Sequence, residues 1–477
     1  MKFSSTLSGR SLILAALALA FSCRTYQPPS STTHQDVVVE MPGLTKLPDT
    51  SFDTVYAGLS NRESVVSFYR NNGFRLAWFD SAQRDAGADS MAWIIRNIRY
   101  FGLRPQRYHG TELASLQGTL PNNIQRIDAL LTDAFLTLLK DLGEGVSRKN
   151  EIADSSRVPL LQQAIRSRTL LRTLRSAEPS YLQYYNLKEI IRTILDTTKS
   201  TIRDKILLGE ISEIDPVMKL VQKVEINLER WRTESHLSEE ERYIYVNVPS
   251  FMLNVLNDGE KVLESRIIVG APQTPTPVIS SKIECFVIYP YWNVPRKISV
   301  EEYLPVIQRD TSFITRNNFD VLDRNGRVLR YDSLNWKKFN KNYFPVSLRQ
   351  REGKENSLGL IKFVFDNPHA VFVHDTNAKG LFRNSMRALS HGCIRLEKAF
   401  EFGHYLLTGI PSKKSELLES YLKLEQGRTI TLSKPVPIYV RYFTCSVIDQ
   451  KLYVYDDCYD LDRHLYSFLY GCDKDQK

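Results

Sequence analysis

The stretch Arg242–Gly270, "RYIYVNVPSFMLNVLNDGEKVLESRIIVG", marks the point at which the chain changes its period. Apolar and polar residues alternate through 242–256 and again through 261–270, the period of two that lays one face of a strand on a core. The join, "NDGE" at 257–260, carries the Asp-Gly pair favoured in tight hairpins. A β-rich domain is therefore expected to begin soon after "INLERWR" (226–232).

Working back from that point, residues from Phe52 to Leu208 follow a helical period. In "RESVVSFYRNNGFRLAWF" (62–79), "MAWIIRNIRYFGL" (91–103) and "IDALLTDAFLTLLKDLGEG" (127–145), apolar residues recur at spacings of three and four. Gly73, Gly102 and Gly143 fall where helix ends are expected. Forward of it, further strands are expected in "KIECFVIYPYWNVP" (282–295), "LIKFVFDN" (360–367), "AVFVHDT" (370–376), "TITLSKPVPIYVRYFTCSV" (429–447) and "KLYVYDD" (451–457). Between them "EEYLPVIQRD" (301–310) reads as helical, and roughly 311–357 is charged, aromatic and irregular. So long an irregular stretch inside a compact domain suggests a lid or a binding wall. The expected fold class is α+β and multidomain, a helical scaffold domain followed by a β-rich domain with an inserted subdomain. No internal repeat is visible.

The chain has 477 residues, too many for one ordinary core, with 42% hydrophobic and 25% charged residues. Its first residues, "MKFSSTLSGRSLILAALALAFSC", put Lys2 and Arg10 ahead of an apolar run that ends at small residues and Cys23. This pattern reads as a secretory signal peptide over 1–22. A cysteine after "AFS" resembles a bacterial lipoprotein cleavage box, which implies lipidation of Cys23; residues 23–50, rich in Ser, Thr and Pro, then read as a tether. The expected location is the periplasmic side of a bacterial cell envelope, held to a membrane by the lipid. The formal charge of +9, two lower without the signal segment, contains no block of like charge that would point to nucleic acid.

Six cysteines, at 23, 285, 393, 445, 458 and 472, are too sparse to build a disulfide fold. Cys458 and Cys472 are close enough in sequence to pair, and Cys393 is the best candidate for a free thiol. It lies in "SHGCIRLEKAF" (390–400), two residues after His391 and 19 after His374, which itself follows the apolar run "AVFV". A thiol attacks acyl carbon only as thiolate, so a working cysteine needs a base or electropositive surroundings. Either histidine could serve, and sequence spacing does not choose between them. Gly392 between His391 and Cys393 suggests tight backbone with N–H groups available to an oxyanion. His374, His391, Cys393 and His404 could in principle hold zinc, but their spacing matches no usual ligand pairing.

The segment "HDTNAKGLFRNSMRALSHGCIR" (374–395) resembles the active-site signature of the L,D-transpeptidases, the YkuD-like domain, in which a histidine precedes a Ser/Thr-His-Gly-Cys block. Many members carry Asn two residues after the cysteine; Arg395 stands there in this chain, as in the larger periplasmic branch that resembles YcbB. "IIVGAPQTPTPVISSKI" (267–283), "YPYWNVPRKISVEEYLP" (289–305), "NSLGLIKFVFDNPHAVFVHDT" (356–376) and "VPIYVRYFTC" (436–445) extend the likeness, and "VVSFYRNNGFRLAWF" (65–79) resembles that branch's scaffold. A peptidoglycan-binding helical repeat is not evident. The resemblance implies a scaffold domain over 51–215, a catalytic domain over 216–470 with a capping insertion near 303–358, and a tail over 471–477.

The resemblance further implies that Cys393 is the nucleophile and His374 the general base and acid. The Asp375 carbonyl would orient the imidazole, and the Gly392 and Cys393 amides would form the oxyanion hole. Ser390 and His391 would hold the loop, Arg395 would hold a carboxylate of the peptide stem, and Tyr291, Trp292 and Asn293 would line the donor site. The implied reaction is acyl transfer on peptidoglycan stems through a Cys thioester, with D-alanine released and a 3-to-3 cross-link formed, and it calls for no cofactor, ATP or metal. The implied partners are peptidoglycan stem peptides and, as covalent inhibitors, β-lactams of the carbapenem class. The same acyl-enzyme could serve an L,D-carboxypeptidase or attach a protein to the wall. An inactive wall-binding scaffold is the reading outside enzymology.

Overall fold

The computed structural model describes residues 46–47, 54–80, 83–84, 86–116, 122–148, 155–208, 215–234, 237 and 242–471. The signal segment, Cys23, nearly all of the tether and Cys472 lie outside them. No helix among the described residues is long and apolar enough to cross a membrane.

The N-terminal half is helical. Its longest helix, Ile124–Glu144, presents Ile127, Leu131, Phe135 and Leu138 to a core shared with Val65, Phe68, Trp78 and Met91. Gly102 closes a short helix in the left-handed conformation at φ 67°, where expected. Gly143 does not end its helix; Gly145 does, at φ +88°. A Cβ on Gly143 would stand 3.1 Å from the Ala177 carbonyl, so that glycine serves close packing.

The β-rich half is built on a nine-stranded sheet. Its strands are β1 (Arg242–Asn247), β2 (Met252–Asn257), β3 (Glu260–Gly270), β4 (Ile279–Ile288), β5 (Ile361–Phe365), β6 (Val373–His374), β7 (Ala388–Ser390), β8 (Ile394–Leu396) and β9 (Arg428–Arg441). The β2–β3 hairpin pairs Asn257 with Glu260 across Asp258 and Gly259, both at positive φ, as "NDGE" predicts. The order β7-β3-β8-β6-β5-β4-β9-β1-β2, with a further β2–β3 pairing, brings eight strands round into a ring with β7 added beside β3. Ring closure leaves few edges unpaired. Ile244, Leu253, Ile267, Phe286, Phe363, Val373, Ile394 and Ile438 form the core, and helix Ala399–Thr408 packs Phe402 and Tyr405 onto it.

A helix at Pro216–Thr233 joins the halves. Asp215 caps it by accepting from Val217 N–H at 2.8 Å, and Trp231 stacks on Phe443 with ring centroids 4.2 Å apart. Asn227 accepts the Thr444 N–H at 2.8 Å. Tyr184, Leu187 and Ile191 from the helical half share this third core with Tyr243 and Tyr439 from the sheet.

Between β4 and β5 the chain builds a separate small core around Val294, Ile307, Phe319, Trp336 and Leu348. A four-stranded sheet runs through it in the order Trp292–Asn293, Ser347–Gln350, Phe319–Leu322, Val328–Leu329. The region expected to be irregular is thus a folded insertion, and its packing starts at Val294, upstream of residue 303.

Candidate active site

Strand pairing assembles the site. Because β6 and β8 run parallel with Val373 opposite Ile394, His374 stands opposite Arg395. On the other side of β6, His374 pairs with Lys362 of β5. Alternation sends Val373, Ile394, Leu396, Ile361 and Phe363 into the core. Lys362, Phe372, His374, Cys393 and Arg395 therefore share the opposite face. Cys393 is diagonal to His374 across this pair, with backbones roughly 7–8 Å apart, and its Sγ–H points to the Ala370 carbonyl at 3.9 Å.

The cysteine loop is held from within and from outside. Ser390 Oγ donates to the Cys393 carbonyl at 2.5 Å and accepts the Gly392 N–H at 3.1 Å. Gly392 itself sits at φ +112°. From the segment after β3, Ala271 N–H and Thr274 Oγ1 both donate to the Ser390 carbonyl, at 2.7 and 3.1 Å, and Thr276 Oγ1 donates to the Gly392 carbonyl at 2.8 Å. A Cβ on Gly270 would fall 2.0 Å from the Thr274 carbonyl, so this approach requires glycine. The Gly392 amide, expected to face an oxyanion, is committed to Ser390. Among the described residues the Cys393 amide has no hydrogen-bond partner.

His374 is buried, and its Nδ1–H donates to the Asp375 carbonyl at 2.5 Å, the arrangement the resemblance implies. A carbonyl only accepts, so this bond fixes the tautomer and leaves Nε2 as the acceptor. Burial, and then the Arg395 guanidinium, push the imidazole down to about 4, against the carbonyls of Asp375 and Leu358. His374 is thus neutral at neutral pH. The Asp375 carboxylate faces away from the ring: it accepts the Leu360 N–H at 2.9 Å and pairs with Lys379. Gly359, at φ +62°, makes room for it, since a Cβ there would lie 2.3 Å from Asp375 Oδ2.

Burial pushes the Cys393 thiol up from its ordinary value, while the Phe372 N–H, Lys362 and Arg395 pull it down. Arg395 is half-buried, and no carboxylate pairs with it among the described residues; its neighbour Glu397 pairs with Arg266 instead. His391 is exposed and binds Glu302 of the insertion through Nε2 at 2.6 Å. Tyr303, next to Glu302, lies close enough to Arg395 for the guanidinium to act on its phenol. The insertion therefore touches the loop on both sides of Cys393.

Of the three aromatic-segment residues, Trp292 meets Tyr303 edge-on at 6.3 Å between ring centroids, and so reaches the site through that ring. Tyr291 instead carries Arg349 on its ring at 4.8 Å, and Asn293 pairs with Arg349 in the insertion's sheet. His404 Nδ1 accepts the Ser415 N–H at 3.0 Å, away from this face. Among the described residues no disulfide joins Cys285, Cys393, Cys445 and Cys458, and the pairing of Cys458 with Cys472 lies outside them. Sequence reasoning missed Thr274, Thr276, Glu302, Tyr303 and Lys362. For Lys362 the signal was present: it is the one charged residue in the apolar alternation of "LIKFVF".

Comparison with known proteins covers the same part of the chain. Residues 241–412 match the YkuD family model, described as the L,D-transpeptidase catalytic domain, and residues 63–190 match the scaffold domain model. A curated Haemophilus influenzae protein named "Putative L,D-transpeptidase" is 33% identical over 250 residues, covering 52% of this chain and 49% of that protein. The chain thus spans about half the length of that relative. Among solved structures, the Ldtfm-avibactam carbamoyl enzyme is 14% identical with a TM-score of 0.19, covering 42% of this chain and 49% of its own. An L,D-transpeptidase from Mycobacterium smegmatis is 13% identical with a TM-score of 0.19, covering 42% and 58%. The face that carries His374 and Cys393 lies within the span that matches the YkuD model, and the span that matches the scaffold domain model precedes it in the helical half.

Proposed function

We propose that the chain is a peptidoglycan L,D-transpeptidase that forms 3-to-3 cross-links through a thioester on Cys393. The observation that carries this reading is the His374 Nδ1–H bond to the Asp375 carbonyl, which fixes a neutral imidazole with Nε2 as its acceptor nitrogen on the strand next to Cys393. Nε2 accepts the Sγ proton as the sulfur attacks the carbonyl of the third stem residue. The Cys393 amide, unpartnered among the described residues, donates to the oxyanion that forms. Collapse expels the amine of the terminal D-alanine, which takes the proton from His374. An amine of a second stem then attacks the thioester, gives its proton to the same nitrogen, and releases the thiol. The cleaved peptide bond supplies the driving force.

Arg395, half-buried and without a carboxylate, holds a stem carboxylate, and Tyr303 with Trp292 walls the donor side. The insertion's contacts at His391 and Arg395 favour transfer over hydrolysis, because a covered thioester meets less water. Lipidated Cys23 holds the protein on the periplasmic side of the envelope, where its substrate lies, and carbapenems acylate the same thiol. The test is incubation with a tetrapeptide-stem disaccharide and mass analysis of the products. Cross-linked dimer with loss of D-alanine is expected; tripeptide monomer alone would make the protein a carboxypeptidase.

A further inference from the structure

The site face holds a second cation that the reading above does not use. Lys362 projects from β5 directly opposite His374, and its Nζ sits 3.7 Å above the centre of the Phe372 ring. Phe372 is the residue opposite Cys393: its carbonyl accepts the Ile394 N–H at 2.9 Å, and its own N–H bears on the thiol. No carboxylate pairs with Lys362 among the described residues. An ammonium held on a ring face, half out of water and without a counter-ion, is available to an anion that forms nearby.

The groups facing this ammonium are Cys285 from β4, His374 from β6, and Cys393 and Arg395 from β8, with Tyr303 of the insertion beyond Arg395. None is a carboxylate. His374 is neutral at working pH, so before the Sγ proton is transferred no imidazolium supplies the positive charge that a thiolate needs. Only the two fixed cations remain.

We propose that Lys362 is a positioning residue of this site, whose ammonium, seated on Phe372, stabilises the Cys393 thiolate jointly with Arg395. It rests on Cys393 as the nucleophile and adds that the counter-charge of the resting thiolate is lysine and arginine rather than histidine. Burial lowers the Lys362 ammonium from its ordinary value while the Cys393 and Cys285 thiols raise it, as an ammonium facing forming anions requires.

The test is alkylation of the full-length protein by iodoacetamide across a pH series, with the rate at each cysteine read by peptide mass spectrometry. Thiolate displaces iodide and forms the S–C bond, so the midpoint reports thiol ionisation without any substrate. Lys362→Met and Lys362→Gln should each raise the Cys393 midpoint by about one pH unit, slowing alkylation about tenfold below it. Lys362→Arg should stay close to wild type. Cys445, buried in the third core, stays protected while the fold is intact, so each neutral variant carries its own folding control. An unchanged Cys393 midpoint in a neutral variant with Cys445 protected would overturn the proposal and leave the transpeptidase reading standing. Failure of stem peptide to acylate wild-type Cys393 would instead strike at that reading.

Discussion

His374 and Arg395 stand directly opposite each other on the parallel strands β6 and β8. This one pairing fixes the character of the site. Burial of the ring, and then the permanent cation that this pairing sets against it, keep the histidine neutral down to about pH 4. The imidazole is therefore a neutral acceptor at working pH rather than the cationic half of a resting ion pair.

A stability consequence follows from that depressed value. The ordinary histidine value is 6.5, so between pH 6.5 and 4 the unfolded chain takes up a proton at His374 that the folded chain refuses. Stability is full above 6.5 and falls by about 3 kcal/mol as the pH drops to 4. Urea unfolding at pH 7 and pH 4 should show this loss in wild type and lack it in His374→Gln. Equal pH dependence in the two proteins would contradict the burial of the ring.

The support beneath the histidine can be tested through Gly359. Gly359→Ala places a Cβ against the Asp375 carboxylate at positive φ, which should cost ~2–4 kcal/mol and displace the carbonyl that orients His374. Gly326, at φ +78° with nothing within 4 Å, is the control: Gly326→Ala should cost only about 1 kcal/mol. Thermal unfolding with the rate of Cys393 acylation separates them. Similar costs at both positions, with acylation intact, would remove Gly359 from its supporting role.

The contact between the insertion and the cysteine loop predicts a different signature. Glu302 and His391 are both about half exposed, so Glu302→Ala should change global stability by less than about 1 kcal/mol. Amide exchange in Ser299–Tyr303 and Leu304–Arg309, elements that hold the insertion over the loop, should nevertheless quicken. Unchanged exchange there would mean that the insertion is held by its other contacts alone.

Much of this architecture could be read from the chain. The hairpin at Asp258–Gly259 was legible because turn chemistry is local, and His374 at a strand end because the apolar run "AVFV" precedes it. Ring closure was not legible, since β8 reaches β3 and β6 through partners far away in sequence. The surroundings of the second histidine also waited on tertiary structure: His391, two residues before the cysteine, turns out to face Glu302, 89 positions away. Gly143 misled for a related reason, as its packing partner Ala177 belongs to another helix end.

The central claim, that Cys393 is acylated with His374 as its base, meets its most direct test in the intact mass of the protein. Wild-type protein mixed with a carbapenem at pH 7 should gain one adduct, mapped to Cys393. His374→Gln should gain it at least 100-fold more slowly, and Cys393→Ala not at all. Equal labelling of wild type and Cys393→Ala, or an adduct on another cysteine, would contradict the account.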